Sequence, residues 1–323
     1  MDVVCFRPRP NANLNDTFIE WGTKGLLKEV LGDHVRFHDV YFEPLDNGKI
    51  PDHDLFVVCG TPWIWDQCTL SAKYHDLATA LSASKAAKMA LGIGACFPFG
   101  FECNEVCQAE SSMPGLHNVL APFSGIAVRD RLAKRTCDLL GIRTELLCCP
   151  AVFASEYIGA ECFERERDTL FFYAPQLGLS AGVLTEHFVQ HYLAIQVDYA
   201  RTLEARVICI NQDEARVAGE LGLNAELLRS PDEIAEKLAS AKTLLSGRVH
   251  GCVFTSGMPV PASLLAVDSR FLTYEYCGGK VLMTDTVSTI DSKMLRRCKV
   301  NYSKEKKKWK RFLRHSLQSA GVY

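Results

Sequence analysis

The most informative segment of the sequence is Leu245-Ser-Gly-Arg-Val-His-Gly-Cys-Val-Phe-Thr-Ser-Gly-Met-Pro-Val260. A short apolar strand is predicted to end near Ser246 and a helix to begin near His250. Arg248 and His250 then follow the carboxyl end of a strand, where open α/β sheets bind ligands and where free helix amides favour anions. Arginine adds a forked donor for carboxylate or phosphate, and histidine adds an acid or base that works near neutral pH. We therefore expect an anion site with a proton-transfer group here.

The residues that follow return the chain to the same edge of the sheet. Gly257 and Pro259 end the helix, and a second strand is predicted over Val260–Val267, followed by Asp268-Ser-Arg270. Because neighbouring parallel strands end at one edge of a sheet, Arg270 is expected beside Arg248.

Short strands and helices also alternate regularly along the rest of the chain, which is typical of βαβ units and parallel sheets. Predicted strands are Asp2–Arg7, Val35–Phe42, Leu55–Cys59, Met89–Ile93, Gly125–Val128, Leu146–Cys149, Leu170–Tyr173, Val207–Asn211, Thr243–Ser246 and Val260–Val267. Predicted helices are Asp16–Leu31, Leu70–Ala87, Asp130–Leu140, Leu184–Ala200, Asp213–Leu221, Pro231–Ser240 and His250–Ser256.

The polar stretch Glu161–Asp168 interrupts this alternation and marks the predicted domain boundary. The sequence predicts a Rossmann-like domain over residues 1–160, a second over 161–292, and a basic helical tail over 293–323. Two α/β lobes with parallel sheets and a ligand cleft between them are the GT-B-like arrangement, and this is the expected fold class.

Composition favours an ordinary globular protein. Hydrophobic residues make up 48% and charged residues 23% of the 323 residues, and the longest apolar runs are strand-sized, too short to span a membrane. No signal-peptide pattern opens the sequence, so a cytoplasmic location is expected. The fourteen cysteines lack metal-site spacing and are interpreted as reduced.

Charge is unevenly distributed along the chain. Lys293–Arg314 holds eleven Lys/Arg and one Glu, a net charge of +10, whereas residues 1–292 hold 25 Lys/Arg and 37 Asp/Glu, a net charge of −12. This acidic body argues against a nucleic-acid partner. The tail is predicted to be a helix with one apolar stripe. This stripe would either dock on the body or contact the inner face of an anionic membrane, and both alternatives stay open. The residues of this stripe are Trp309, Phe312, Leu313 and Leu317.

Several motifs, in this order and spacing, resemble the polysaccharide pyruvyl transferase family. The resemblance runs from about residue 11 to about residue 280. Its motifs are Asn13-Leu-Asn-Asp16, Asp54–Gly60, Gly92-Ile-Gly94, Val128-Arg-Asp130, Arg248-Val-His250 and Asp268-Ser-Arg270.

The resemblance implies transfer of pyruvate from phosphoenolpyruvate, the co-substrate, onto a sugar of a cell-surface polysaccharide or its precursor, lipid-linked or free, as a ketal. It implies His250 as the acid/base, with Arg248 also catalytic. No cofactor and no metal are expected. The residues expected to bind the donor are Arg129, Arg248, Arg270 and Gly251. Those expected to bind the acceptor are Asn15, Asp16, Trp63 and Trp65.

Departures from the family pattern keep other functions open. Asn15 and Arg270 stand where the family has glycine and lysine, and the turn after Asp54–Gly60 has one glycine and two tryptophans. The alternatives are a GT-B glycosyltransferase that uses a nucleotide sugar and a non-catalytic binding protein of the same fold.

Each candidate residue also has a structural alternative. Trp63 and Trp65 would either stack on a sugar or pack in the interior, and Arg129-Asp130 would either bind an anion or open a helix. His187 and His191 have the spacing of a metal pair but lack a third ligand, so we interpret them as part of a helix face.

Overall fold

The computed structural model describes residues 1–7, 14–41, 50–65, 81, 84–97, 113–159, 169–172, 186–284 and 292–322. Its contacts divide the chain into two compact units, one of Met1–Cys96, Phe101–Ala154 and Asn301–Tyr323, the other of Phe97–Gly100 and Ser155–Val300. These bounds differ from the predicted 1–160, 161–292 and 293–323. The predicted tail does not form a unit of its own, because its first residues belong to the second unit and its helix packs within the first.

The first unit is built on a parallel sheet. Its strands are β1 Asp2–Arg7, β2 Arg36–Tyr41, β3 Leu55–Cys59, β4 Pro62–Trp65, β5 Ala87–Cys96, β6 Gly125–Val128 and β7 Glu145–Leu146. Their order across the sheet is β2-β1-β3-β5-β6-β7, and β4 pairs with β5; every pair is parallel. Strands β1, β3 and β6 are buried almost end to end, as expected for strands covered on both faces.

The second unit is built on another parallel sheet. Its strands are β8 Thr169–Phe172, β9 Arg206–Cys209, β10 Ala225–Leu227, β11 Thr243–Ser246, β12 Ala262–Ala266 and β13 Lys280–Met283. Their order is β10-β9-β8-β11-β12-β13, again with parallel pairs throughout.

Helices connect these strands. In chain order they are α1 Thr17–Leu31, α2 Met113–Leu120, α3 Arg131–Leu139, α4 Ala154–Tyr157, α5 Glu186–Thr202, α6 Gln212–Glu220, α7 Pro231–Ser240, α8 Val249–Thr255, α9 Phe271–Tyr276 and α10 Tyr302–Ser319. Most of the helix predicted over Leu70–Ala87 lies outside the described residues. No described helix is both long and apolar enough to span a bilayer.

Each sheet reverses its strand order at one point, and this point locates the crevice where α/β sheets bind ligands. In the first unit, β1 lies between β2 and β3, so the reversal falls between β1 and β3. In the second unit, β8 lies between β9 and β11, so the reversal falls between β8 and β11. The turn that carries Arg248 and His250 follows β11 directly.

The terminal helix α10 docks on the first unit through its apolar stripe. Trp309, Leu313 and Leu317 are fully buried, and Phe312 is half-buried. The Trp309 indole Nε1 donates a hydrogen bond to the Cys148 backbone oxygen at 2.9 Å. Docking, the first of the two alternatives for this stripe, therefore describes α10.

Candidate functional site

The turn between β11 and α8 is held by a serine. Ser246 Oγ accepts a hydrogen bond from the Arg248 backbone N–H at 2.9 Å and donates one to the Arg248 backbone oxygen at 2.8 Å. His250 and Gly251 lie in the first turn of α8, and both are buried, His250 to 8% exposure. Because α8 has only seven residues, its dipole adds little, and the charge of Arg248 carries the anion affinity expected here.

The side chain of Arg248 is held by a buried carboxylate. Its Nη2 donates to Glu214 Oε1 in an ion pair whose side chains are 17% and 2% exposed, respectively. Glu214 lies in the first turn of α6, which follows β9, whereas Arg248 follows β11. The contact therefore spans the carboxyl end of β8, the strand between β9 and β11, and it fixes the guanidinium at the point where the sheet reverses.

Glu214 is itself fixed by a capping box at the start of α6. Asn211 Oδ1 accepts from the Glu214 backbone N–H at 2.9 Å, and the Glu214 carboxylate accepts from Ile210 N at 3.0 Å and from Asn211 Nδ2 at 2.7 Å. Three donors, counting the Arg248 guanidinium, thus bind the two oxygens of the Glu214 carboxylate. The signal in the sequence is Asn211 three residues before Glu214, a helix-start pattern.

Arg270 reaches the same edge of the sheet, but its fork is occupied. Its Nε donates to Asp268 Oδ1 at 2.8 Å and to Oδ2 at 2.9 Å, and its Nη2 donates to Oδ2 at 2.5 Å. Asp268 also accepts from the Arg270 backbone N–H at 3.0 Å. Asp268, which takes one side of the guanidinium, is itself almost completely buried.

The second unit thus brings four of the predicted catalytic and donor-binding residues to the ends of two adjacent strands. Arg248, His250 and Gly251 follow β11, and Arg270 follows β12, which pairs with β11 in parallel. The other predicted residues lie in the first unit, at the carboxyl edge of its own sheet.

Asn15 and Asp16 form a 3-10 turn, Leu14–Asp16, directly before α1. Asn15 is 1% exposed, and Asp16 is half-buried. Asp16 is the N-cap residue of α1 but makes no side-chain capping bond to it, so capping does not account for its carboxylate. Asn13, the first residue of this motif, lies outside the described residues.

Arg129 and Asp130 follow β6 and are both fully buried, so they are not the surface charge pair that a simple helix start would give. Asp130 caps α3 by accepting from Ala133 N at 2.7 Å, and it also accepts from Ala95 N at 3.0 Å. Burial raises the pKa of Asp130, and these hydrogen bonds together with Arg129 oppose that rise. A Cβ on Gly94 would lie 2.5 Å from Arg129 Nε, so this glycine makes room for the arginine.

The tryptophans lie on β4, where the sequence suggested a turn. Trp63 is 3% exposed, and its Nε1 donates to the Gly60 backbone oxygen at 2.8 Å. Burial of this ring favours packing over stacking on a sugar. The side chain of Trp65 lies outside the described residues. Gly60 and Thr61 both have positive φ, of 61° and 68°, which is strained for the β-branched threonine.

A buried ion cluster lies at the carboxyl end of β1, beside the strand-order reversal. Arg7 Nη1 lies 2.6 Å from Glu20 Oε2, Lys24 pairs with Glu20, and Lys24 Nζ lies 2.8 Å from Asp39 Oδ1. Burial raises the pKa of Glu20, although Lys24 and Arg7 oppose the rise. The cluster ties β1, β2 and α1 together, and the sequence analysis missed it.

No group of three or more metal-binding side chains occurs within the part of the chain that the structure describes. His191 is half-buried on α5, and the side chain of His187 is outside the described residues.

Solved structures that hold UDP share this fold. S. aureus MnaA with UDP matches with a TM-score of 0.59 at 8% identity, covering 100% of this chain and 97% of that chain. The UDP-GlcNAc 2-epimerase of Methanocaldococcus jannaschii, in complex with UDP-GlcNAc and UDP, matches with a TM-score of 0.53 at 12% identity, covering 98% and 100%. At these identities the likeness shows the fold alone, and the predicted α/β, GT-B-like class is confirmed.

Sequence comparison gives the family. No curated protein sequence matches the chain significantly. The family model for polysaccharide pyruvyl transferase matches residues 15–269. This span includes every predicted site residue except Arg270. Since this match covers well over half of the sequence, the chain belongs to the polysaccharide pyruvyl transferase family.

Proposed function

We propose that this protein transfers the pyruvate skeleton of phosphoenolpyruvate onto a sugar as a ketal. The observation that carries the proposal is the turn after β11, where Arg248 and His250 lie two residues apart at the strand-order reversal of the second sheet. Phosphoenolpyruvate has a carboxylate and a phosphate, and a fixed guanidinium is the side chain best suited to such groups. Membership of the family supports the same donor.

In the proposed reaction, Arg248 binds an anionic group of the donor. The ion pair with Glu214 holds the guanidinium in one orientation, so less side-chain entropy is lost when the donor binds. Arg270, clamped by Asp268, is proposed as a second cation at the same edge of this sheet. Arg129, which follows β6 in the first unit, is a further proposed donor-binding residue. Gly251 follows His250 in the first turn of α8, and it is proposed to let the donor approach the backbone closely because it has no side chain.

His250 is proposed as the acid/base. Protonation of the donor's methylene carbon makes the neighbouring carbon oxocarbenium-like, and one acceptor hydroxyl attacks it. Phosphate then leaves, and a second acceptor hydroxyl attacks the same carbon. The products are a ketal with a new methyl group and inorganic phosphate, so the atoms balance without an oxidant or a metal. A histidine can give and take these protons near neutral pH.

Acceptor binding is proposed for the first unit, at Asn15 and Asp16. The Asp16 carboxylate stands at the start of α1 and does not cap it, and a carboxylate is a good acceptor for sugar hydroxyls. Trp65 stays a proposed stacking residue, whereas the burial of Trp63 gives it a packing role.

A glycosyl transfer from a nucleotide sugar is the second candidate. Its support is the fold shared with S. aureus MnaA and with the M. jannaschii epimerase, whose structures hold UDP. Its donor also carries phosphates, so Arg248 suits both.

The Tm of the protein, measured with phosphoenolpyruvate, with UDP-sugars and without ligand, distinguishes between these two donors. A ligand present at about 100 times its Kd stabilises the folded state by about 2.7 kcal/mol, which is readily seen as a shift in Tm. We expect phosphoenolpyruvate to raise Tm and UDP-sugars not to. The reverse result would favour the nucleotide-sugar reaction.

Turnover is measured next, with a panel of sugar acceptors. We expect acceptor-dependent release of inorganic phosphate and a new methyl signal in the product when the donor is labelled with ¹³C at its methylene carbon. A protein that binds phosphoenolpyruvate but forms no ketal with any acceptor would be a non-catalytic member of the family.

A further inference from the structure

The outer face of α10 carries a row of four basic side chains: Lys304, Lys307, Arg311 and Arg314. Their spacing of three, four and three residues places them on one side of a helix. All four are exposed, and within the described residues no acidic side chain pairs with any of them. We call these four residues the basic row.

The opposite face of α10 is committed to the first unit. Trp309, Leu313 and Leu317 have no exposed surface, and the Trp309 indole is hydrogen-bonded to Cys148. These apolar side chains cannot enter a bilayer while the helix stays docked. Any membrane contact of α10 must therefore act through charge alone.

The remaining lysines of the helix differ from the basic row. Lys306 and Lys310 both pair with Glu29 of α1, at 2.5 and 3.0 Å, and Lys308 pairs with Glu305 at 2.6 Å. The two pairs with Glu29 join the helix to α1 of the first unit, and the third pair lies within the helix. The helix thus separates paired charges, which fix it in place, from unpaired charges, which face outward.

We propose that the basic row is a contact surface for the anionic headgroups of a lipid membrane, bound by charge without insertion. Four cations along about 15 Å of straight helix form a line that a flat surface can meet all at once. Nucleic acid fits less well, because single-stranded binding uses exposed aromatic rings and the row has none. The net charge of −12 on residues 1–292 limits such attraction to the basic stretch Lys293–Arg314, which holds the row.

This proposal is independent of the reaction, since it rests only on the charge and burial of α10. Each Lys or Arg near an anionic membrane strengthens binding about fivefold. Binding by charge alone is also screened by salt, because exposed charges lose their attraction as the Debye length shrinks. The proposal therefore predicts weak, salt-sensitive binding that depends on particular residues.

The test is co-sedimentation of the full chain with vesicles of phosphatidylcholine, with or without phosphatidylglycerol, at about 0.05 M and about 0.5 M salt. Two double variants are compared: Arg311→Gln with Arg314→Gln, and Lys306→Gln with Lys310→Gln. Each removes two positive charges, but the first pair lies in the basic row and the second pair faces Glu29. Melting curves of both show whether α10 stays docked.

We expect the wild-type chain to bind anionic vesicles only and to lose this binding at high salt. The double variant of the basic row should bind at least tenfold more weakly, and its Tm should stay at the wild-type value. The control variant should weaken binding less than threefold and lower Tm. Absence of binding by the wild-type chain, equal weakening by both variants, or binding to neutral vesicles would overturn the proposal. Tighter binding to a DNA duplex than to anionic vesicles would also overturn it.

Discussion

Glu214 holds the guanidinium of Arg248 across a separation of 34 residues in sequence. The carboxylate is almost completely buried, and its other hydrogen bonds all come from the start of its own helix. Arg248 can therefore keep its position while its own environment stays partly open, at 17% side-chain exposure. In the proposed reaction, Glu214 is a positioning residue, because it acts on the donor only through Arg248.

The variant Glu214→Gln should raise the KM for phosphoenolpyruvate about tenfold and lower kcat less. A glutamine keeps the shape and one hydrogen-bond acceptor, but it replaces a charged contact with a neutral one, which is about half as strong. The control is Glu233→Gln, since Glu233 caps α7 in the same way, accepting from Arg229 N at 2.7 Å. Equal effects of the two variants would mean that Glu214 only caps its helix.

Replacement of Arg248 by lysine tests the donor pocket without removing a charge from the buried pair. The change Arg248→Lys keeps the charge beside Glu214 but loses the planar fork that binds carboxylate or phosphate with two parallel bonds. Donor affinity, measured as the rise of Tm with phosphoenolpyruvate concentration, should fall tenfold or more. If only acceptor affinity falls, Arg248 does not bind the donor.

Replacement of the proposed acid/base should separate chemistry from binding. The variant His250→Ala should lower turnover by a factor of about 10²–10⁴, the usual contribution of a general acid or base. Binding of phosphoenolpyruvate should change little, because Arg248 still holds the anion. His191→Ala, a half-buried histidine of α5, is the control and should keep its activity. Near-normal turnover of His250→Ala would remove His250 from the mechanism.

Much of the fold could be predicted from the sequence where local signals agreed. The strands at Asp2–Arg7, Leu55–Cys59, Gly125–Val128 and Thr243–Ser246 have the predicted bounds, as does the helix Pro231–Ser240. Apolar runs that are buried on both faces stand out from their surroundings, and Ser230 caps this helix as expected, accepting from Glu233 N at 3.1 Å.

Short elements were missed because tertiary pairing, not local pattern, forms them. Strand β10 has three residues and β13 has four, and both lie at the edges of the second sheet. Strand β4 was predicted as part of a turn, but its residues pair with β5 across a register shift at Pro62 and Ile64. Segments of this length carry little periodicity, so a short strand is predictable only where its apolar run is well bounded, as at Gly125–Val128.

The candidate site was predictable in part. Strand-to-helix turns located Arg248 and His250, because sequence periodicity shows where a strand ends. The partners of the arginines were not predicted. The contact of Arg248 with Glu214 depends on β9 and β11 lying on either side of β8, and strand order is a property of the whole sheet. Arg270 and Asp268 are only two residues apart, but this spacing alone does not show whether Arg270 pairs with Asp268 or binds a ligand.

The position of Arg129 depends on a glycine. In Gly94→Ala, the added Cβ would lie 2.5 Å from Arg129 Nε and 2.8 Å from Asp130 Oδ2, so both side chains must shift. We expect a loss of about 1–3 kcal/mol in unfolding free energy, measured by urea denaturation. Gly219→Ala is the matched control. It lies in α6 with nothing within 4 Å of the new Cβ, so it should stabilise the protein by about 0.5–1 kcal/mol.

Trp309 fixes α10 to the first unit. The ring is fully buried, and its Nε1 satisfies the Cys148 backbone oxygen at 2.9 Å. Trp309→Phe keeps most of the apolar contact but leaves that oxygen without its donor, at a cost of about 1–3 kcal/mol. Trp309→Ala also opens a cavity and should cost about 3–5 kcal/mol.

Phe312→Ala is the control for Trp309, because Phe312 lies on the same stripe, touches the Trp309 ring edge-on at a centroid distance of 5.9 Å, and is only half-buried. We expect the losses of unfolding free energy to rank Trp309→Ala above Trp309→Phe, and both above Phe312→Ala. Donor binding through Arg248 should be unchanged in all three, since Arg248 and His250 lie in the second unit. Equal, small losses for all three variants would show that α10 is not docked through Trp309. In that case the apolar stripe would be available to a membrane after all, and vesicle binding should then survive high salt.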